Sequence, residues 1–385
     1  MVDAAGLTAL ALVAFAGGAF GAALGATRAF SVAGLLIVAG EVLTVARGSA
    51  SGAGDPAALG ATGITGTLGL GPAFGPHVAF AGGLAAAAYG ARRGYLATGF
   101  DYHEAKNVTH ALGPRADVLA VGGAFGIIGA GIARTSAGAG LPWDPVMAAV
   151  VASGLLHRIA FGYPIVGSVH NGLLNMTPFE RGIRRPSRES EIESDGGTGA
   201  GAGAAGEGMP PEEAATAGTR YAVEPWLPHQ YRWGDVALLG AVVGAFSAFV
   251  TYRTGSPLLA FGIAAASLAF LRVADDRVPV TYHMALPAGI AVVGLAGRAD
   301  PALLDATAYV PPGELAAAVS LPVALVAGGA FGLLAGVGAE LVQRALYAHA
   351  DTHLDPGAAG VVLATLVVAA LDAAGVLAQN LVPAF

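Results

Sequence analysis

Apolar residues run along this chain in long unbroken stretches, and polar residues collect between them. Residues 4–27 carry no charge between Asp3 and Arg28, and residues 56–91, 236–252, 254–271, 278–297 and 315–339 are equally free of it. About 20 consecutive apolar residues cross the hydrocarbon core of a bilayer as a helix. A helix that is apolar on every side has no polar face to turn to water, so these runs predict an integral membrane protein. Helices are expected near 5–27, 29–47, 74–92, 117–136 and 144–163, and again near 235–252, 256–272, 281–298, 317–340 and 357–380. The fold class predicted is an all-α bundle of about ten transmembrane helices.

The two groups of five are separated by a stretch of different character. Residues 181–232 open on Arg181, Arg184, Arg185 and Arg188 and continue through a Gly/Ala/Glu-rich run without apolar periodicity. That composition predicts a flexible cytoplasmic linker. It divides the chain into a first membrane unit, 1–180, and a second, 233–385.

The units resemble each other. "GGAFG" at 122–126 returns at 328–332, and "HVAFAGG" from His77 aligns with "HMALPAG" from His283, both at an offset of 206. "GAF" at 18–20 answers "GAF" at 244–246, offset 226, and Asp144-Pro145 answers Asp355-Pro356, offset 211. Matches in one order are the trace of a duplicated unit. An odd number of crossings per unit makes the second unit enter from the opposite face, which predicts two inverted five-helix repeats of the kind found in secondary transporters. The change of offset places about twenty extra residues in the first unit, around 51–72, overlapped by the uncharged stretch 57–76, rich in Gly and Thr. Irregular backbone at membrane depth persists only where protein covers it or a cavity adjoins it, so a re-entrant segment is expected there.

Charge fixes an orientation. With the N-terminus outside, 15 of the 19 basic residues fall on inner loops or adjoining helix ends. That asymmetry follows the positive-inside rule and puts both termini outside a cell membrane. The chain carries a net charge of −7, 12% charged residues, a single lysine (Lys106) and no cysteine. An acidic, lysine-poor composition suits high salt, where screening weakens ion pairs. The N-terminus lacks a basic leader, so residues 4–27 read as a first span rather than a cleaved signal.

Small residues at four-residue spacing (Gly17, Gly21 and Gly25; Gly122 and Gly126; Gly328 and Gly332) let helix backbones approach closely and also offer faces for a homo-oligomer. Ionisable groups inside spans are candidates for function because their burial is costly. Glu41 and Asp372 are the acidic ones, each able to bind a cation or carry a proton. His77 and His283 occupy aligned places at helix starts, where a paired gate or relay would sit. Thr62, Thr65 and Thr67 alternate with glycines and could offer oxygens to a solute or ion. Asp144 and Asp355 read as helix caps. The loop holding Asp101, His103, Glu104 and His110 reads as solvated, with no metal-ligand spacing. Arg158, with Asn171 and Asn175, could line an inner vestibule, and a snorkelling arginine is the alternative.

No phosphate-binding loop, nucleophile elbow, metalloprotease signature or nucleic-acid module occurs, so the sequence predicts no enzyme, no cofactor, no metal and no nucleic-acid partner. "GPAFGPHVAFAGGLAAAAYG" and "LPWDPVMAAVVASGLLHRIAFGYP" resemble multi-pass membrane proteins of halophilic archaea, a family with no assigned function; the resemblance implies a location and no site. The function expected is secondary transport of a small solute or ion, coupled to H⁺ or Na⁺, at a site between the repeats. A passive channel and a non-transporting structural subunit are the alternatives.

Overall fold

The computed structural model describes residues 4–51, 63–186, 219–271, 277–304 and 309–378. The protein is mostly helical. The first half contains α1 (Ala4–Leu24), α2 (Ala26–Ser51), α3 (Ala81–Arg92), α4 (Ala116–Gly138), α5 (Pro145–Ala160) and the short α6 (Thr177–Glu180). The second contains α7 (Trp233–Thr254), α8 (Leu258–Ala266), α9 (Tyr282–Ala299), α10 (Pro312–Ala318), α11 (Leu321–Val342) and α12 (Pro356–Ala373). Between the halves, β1 (Arg184–Pro186) pairs antiparallel with β2 (Thr219–Tyr221), Arg185 opposite Arg220.

Among the described residues, six helical segments are long and apolar enough to cross a membrane: Ala4–Leu24, Ala26–Ala46, Ala116–Gly138, Trp233–Thr254, Leu321–Tyr347 and Pro356–Ala373. Large apolar side chains point outward from them, among them Leu12, Leu238 and Val326, each more than 60% exposed. Such a surface fits lipid, since soluble proteins rarely expose broad apolar patches. The remaining helices depart from the ten full spans expected. α5 has 16 residues and α8 only nine before a 3₁₀ turn. α3 starts through a π turn at Pro76–Phe80. The predicted span 317–340 is divided, because Pro322 cannot continue α10 into α11. The last helix stops at Ala373 rather than near 380, with Gly375 left-handed just beyond it.

α3 and α9 form the centre. Nine of the 12 residues of α3 and 15 of the 18 of α9 are buried, as suits helices that are apolar or small on every side. Around them the glycine contacts recur position by position. A Cβ on Gly18 would overlap the Gly122 carbonyl oxygen, and one on Gly126 the Ala14 carbonyl oxygen. In the second half, a Cβ on Gly244 would overlap the Gly328 carbonyl oxygen, and one on Gly332 the Gly240 carbonyl oxygen. The pairs α1–α4 and α7–α11 therefore close in the same register, with backbone against backbone. The turns after α1 and α7 also correspond. Gly25 (φ 90°) and Gly255 (φ 77°) adopt left-handed backbone that favours glycine. Thr27 N–H bonds Val108 O at 3.2 Å after the first turn, and Val310 N–H bonds Gly255 O at 3.0 Å at the second.

Two helix pairs, α2 with α8 and α5 with α12, meet antiparallel across the halves. In α2, Gly34 lies against Ala265 and Ala266, while Ile37 and Val38 lie against Gly262 of α8. The Asp144 N–H at the start of α5 bonds Thr365 Oγ1 within α12 at 3.0 Å, and Leu354 at the start of α12 packs on Gly154 within α5.

Part of the stretch expected to be a flexible linker is ordered. Residues 177–186 and 219–232 are structured, because their arginines find carboxylates elsewhere in the chain, and residues 187–218 lie outside the described residues. Thr62 and the rest of 57–62 also lie outside them. The described part, from 63 onward, runs beside α2: Thr65 lies against Gly40 and Gly69 against Ile37.

Candidate functional site

A cleft of about 1060 Å³ opens at the end of the molecule where the linker enters. Both halves line it. Thr27, Phe30, Phe80 and Lys106 come from the first, and Trp226, Tyr282, His353 and Asp355 from the second. Thr98–Tyr102, His110, His229 and Arg277 also line it.

Its floor is built on helix starts. Asp355 caps α12, its Oδ1 accepting from Gly357 N at 2.9 Å and Ala358 N at 3.2 Å. The same oxygen accepts the Tyr282 phenol at 2.5 Å, which ties the start of α9 to that of α12. Phe30 meets the Tyr282 ring edge-on at 4.7 Å. His353 stands between Phe80 and Tyr347, at 6.2 and 5.2 Å. Asp144, the counterpart cap, accepts from Met147 N at 2.8 Å but meets no phenol. Asp355→Ala is therefore expected to cost more than the roughly 0.5–2 kcal/mol of a lost cap, and more than Asp144→Ala; thermal unfolding of the two variants in detergent checks the order.

Beside the cleft lies a buried ion network that unites four distant segments. Lys106 Nζ is 2.6 Å from Glu224 Oε2, with both side chains wholly buried, and 4.4 Å above the Tyr347 ring. Glu224 Oε1 accepts Arg220 Nη1 at 2.8 Å and the His103 N–H at 3.1 Å. Arg220 reaches Asp351 at 2.6 Å, and Arg185 reaches it at 3.2 Å. The β1–β2 register explains this convergence, since it sets Arg185 beside Arg220. Burial pulls the Lys106 ammonium down to about 8 against the opposing pull of Glu224, so it stays charged at neutral pH. Burial, with Arg220 nearby, pushes His103 down to about 3. The imidazole is neutral, and its Nδ1 accepts the Ala105 N–H at 3.1 Å. Burial resists ionisation of Asp351, but Arg220 above all outweighs it and holds the carboxyl below its ordinary value.

The loop expected to be solvated is thus buried at His103, Lys106 and Asn107. Lys106 escapes water by pairing with Glu224, more than 100 positions away, which local composition does not reveal. Arg158 corrects a second expectation. It is fully buried rather than snorkelling, donating to Thr352 Oγ1 at 2.8 Å and to the carbonyls of Leu346, Thr352 and Ile165. It fastens segment 346–352 to α5.

The structure brings some of the sequence candidates together. Glu41 is buried and accepts Thr65 Oγ1 at 2.8 Å and Ser256 Oγ at 2.6 Å. Ser256 was not foreseen; the signal was its place after Gly255 at a helix start, where its Oγ also accepts Leu259 N at 3.0 Å. Glu41→Ala strands two buried hydroxyls and is expected to cost roughly 1–3 kcal/mol for each, measured by unfolding against Thr65→Val/Ser256→Ala in the same background. Thr67 is exposed and stands apart from this cluster. His77 and His283 are both buried, each at the start of a central helix in its own half. Asp372 is exposed in the last turn of α12, away from the cleft. Among the described residues no group of three or more His, Asp or Glu is placed to hold a metal.

No curated protein matches this chain, and no solved structure does. A family model matches residues 1–385, the whole length over which these features are distributed, and the chain belongs to that family, a Family of unknown function (DUF7973).

Proposed function

We propose that the protein is a secondary transporter of a small solute, coupled to H⁺ or Na⁺, built from two inverted five-helix repeats with its site in the cleft between them. The observation that carries this reading is the antiparallel meeting of counterpart helices. As the sequence rises along α2 from Gly34 to Val38, its partner in α8 falls from Ala266 to Gly262. The Asp144–Thr365 and Leu354–Gly154 contacts set α5 against α12 in the same sense. Helices that correspond in the duplication but run oppositely belong to units turned over with respect to each other. Inverted units around a shared site are the architecture in which rocking of one unit against the other alternates access.

The orientation follows the charge. The linker side holds most of the arginines and lies inside, and both termini lie outside. Glu41, held by one hydroxyl from each repeat, is the candidate site for the coupling cation, and 57–76, whose described part from 63 onward runs beside it, is the re-entrant segment. The cleft takes the solute.

The test uses nitroxide pairs at Thr98 and Arg277, exposed residues that line the cleft from the two halves, placed in the cysteine-free chain and measured in liposomes. Alternating access predicts two distance populations whose ratio shifts with an imposed H⁺ or Na⁺ gradient. One population, indifferent to either gradient, contradicts it.

A further inference from the structure

On the linker side of the bundle, several arginines end on a carboxylate: Arg184 on Asp101, Arg185 and Arg220 on Asp351, Arg344 on Glu340. Three others at the same end do not. Arg92 and Arg93 close α3, Arg115 stands immediately before α4, and all three are exposed. Among the described residues no carboxylate lies within 4 Å of their guanidinium groups. The acid that stands among them, Asp117, is spent on neutral donors. Its Oδ2 accepts the phenols of Tyr89 at 3.0 Å and Tyr95 at 2.9 Å, and its Oδ1 accepts the Val118 N–H at 3.0 Å. Three cations against one carboxylate leave the cluster two positive charges.

Aromatic rings hold each guanidinium in place. Arg92 lies 4.0 Å from the centre of the Tyr163 ring, Arg93 5.2 Å from that of Tyr89, and Arg115 4.2 Å from that of Tyr95. Arg93 Nε also donates to the Tyr89 hydroxyl at 2.9 Å, and Arg92 Nη2 to the Gly162 carbonyl at 2.6 Å. Stacking and phenol contacts fix the planar forks without cancelling their charge, so little ordering is left for a ligand to impose. A fixed guanidinium fork matches the oxygens of a phosphate.

The surroundings say which phosphate. α4 is one of the apolar spans, and Arg115 and Asp117 stand at its linker-side end. On the last turns of α5, Leu156 and Ile159 are 40% and 67% exposed, just before the Gly162 carbonyl that Arg92 holds. The Tyr89 ring meets Phe161 at 5.8 Å, which joins this apolar face to the arginines. Tyrosines beside arginines at the end of a span mark headgroup depth, and basic pockets between transmembrane helices bind anionic headgroups. A free phosphate would answer the arginines and leave the apolar face bare; a phospholipid answers both.

We propose that Arg92, Arg93 and Arg115 form a headgroup site for an anionic phospholipid at the linker-side ends of α3, α4 and α5. The phosphodiester sits among the guanidinium groups, and the acyl chains lie along the exposed face of α5. This site is separate from the cleft and does not rest on the transport reading.

The experiment mixes the full-length protein in detergent with equal amounts of phosphatidylglycerol and phosphatidylcholine bearing the same acyl chains, and counts bound lipid by native mass spectrometry. The wild type is expected to retain phosphatidylglycerol in preference. Arg93→Gln/Arg115→Gln is expected to weaken that binding about fivefold for each arginine removed, the scale of one basic residue at an anionic surface. Arg92→Gln alone should lose about fivefold, which keeps the test open if the double variant fails to fold. Arg134→Gln removes an exposed charge at the far end of α4 and should leave the preference as it was. Excess inorganic phosphate should not displace the lipid. Equal retention of the two lipids by the wild type, an undiminished preference in a folded arginine variant, an equal loss in Arg134→Gln, or displacement by inorganic phosphate would each overturn the proposal.

Discussion

Lys106→Ala is expected to destabilise the protein by about 3–5 kcal/mol, because it removes one partner of a buried ion pair and strands the other. Glu224 has no other route to solvent, and Arg220 and the His103 N–H are already committed to its second oxygen. The effect should reach beyond the pair. Lys106 stands in the loop between α3 and α4, Glu224 at the exit of the linker, and Asp351 between α11 and α12, so the network binds three connections of the bundle on its linker side. Double replacement, Lys106→Met with Glu224→Leu, removes both charges and is expected to recover most of the loss, as apolar substitutes for buried ion pairs often do. Thermal unfolding in detergent, followed by circular dichroism, distinguishes the cases. A single variant within 1 kcal/mol of wild type, on the scale of an exposed pair, would show that the network does not hold the fold.

The second large effect lies in the glycine contacts. Gly18→Val and Gly244→Val each force a side chain into the backbone of the facing helix, at Gly122 and Gly328 respectively. Neither carbonyl belongs to a flexible side chain that can move aside. Overpacking of an ordinary core costs about 1–3 kcal/mol, and a clash with backbone exceeds that, so both variants are expected to lose the folded state or fall at least that far. Because the two positions meet the facing helix in the same way, their losses should be similar. Gly131→Ala supplies the contrast. Nothing lies within 4 Å of its added methyl, and a glycine-to-alanine change inside an exposed stretch of helix gains up to about 1 kcal/mol. Unequal losses at Gly18 and Gly244 would argue that the two halves close differently.

These two predictions also mark what the sequence could and could not reveal. The packing glycines were legible because helix–helix contact in an apolar setting needs small residues at fixed spacing, and fixed spacing is visible in one dimension. The repeated pentapeptide accordingly sits where the two corresponding helix pairs cross. Helix starts at Asp144-Pro145 and Asp355-Pro356 were legible for a similar reason, since capping is local chemistry. The cleft was not. Its floor is assembled from residues such as Phe30, Lys106, Tyr282 and His353, whose meeting depends on the whole topology. Lys106 stood out only as the single lysine, and the loop around it was read as solvated because its charges have no opposite partner nearby in sequence. Arg158 misled in the same way, since its acceptors are carbonyls of segments folded against it rather than any carboxylate. Glu41 was found by its cost of burial, and Thr65 by its company of glycines. Nothing in either pattern pointed to their joining through Ser256.

The central claim is that the second half is the first half turned over. Single cysteines at Ala4, at Gly206 within the linker and at Val376 beyond α12 test it most directly, since the native chain has none. Intact cells treated with an impermeant thiol reagent should label positions 4 and 376 and leave 206 unlabelled until the membrane is opened. Labelling of 206 together with either of the others would mean an even number of crossings in a half, and the inverted arrangement would be wrong.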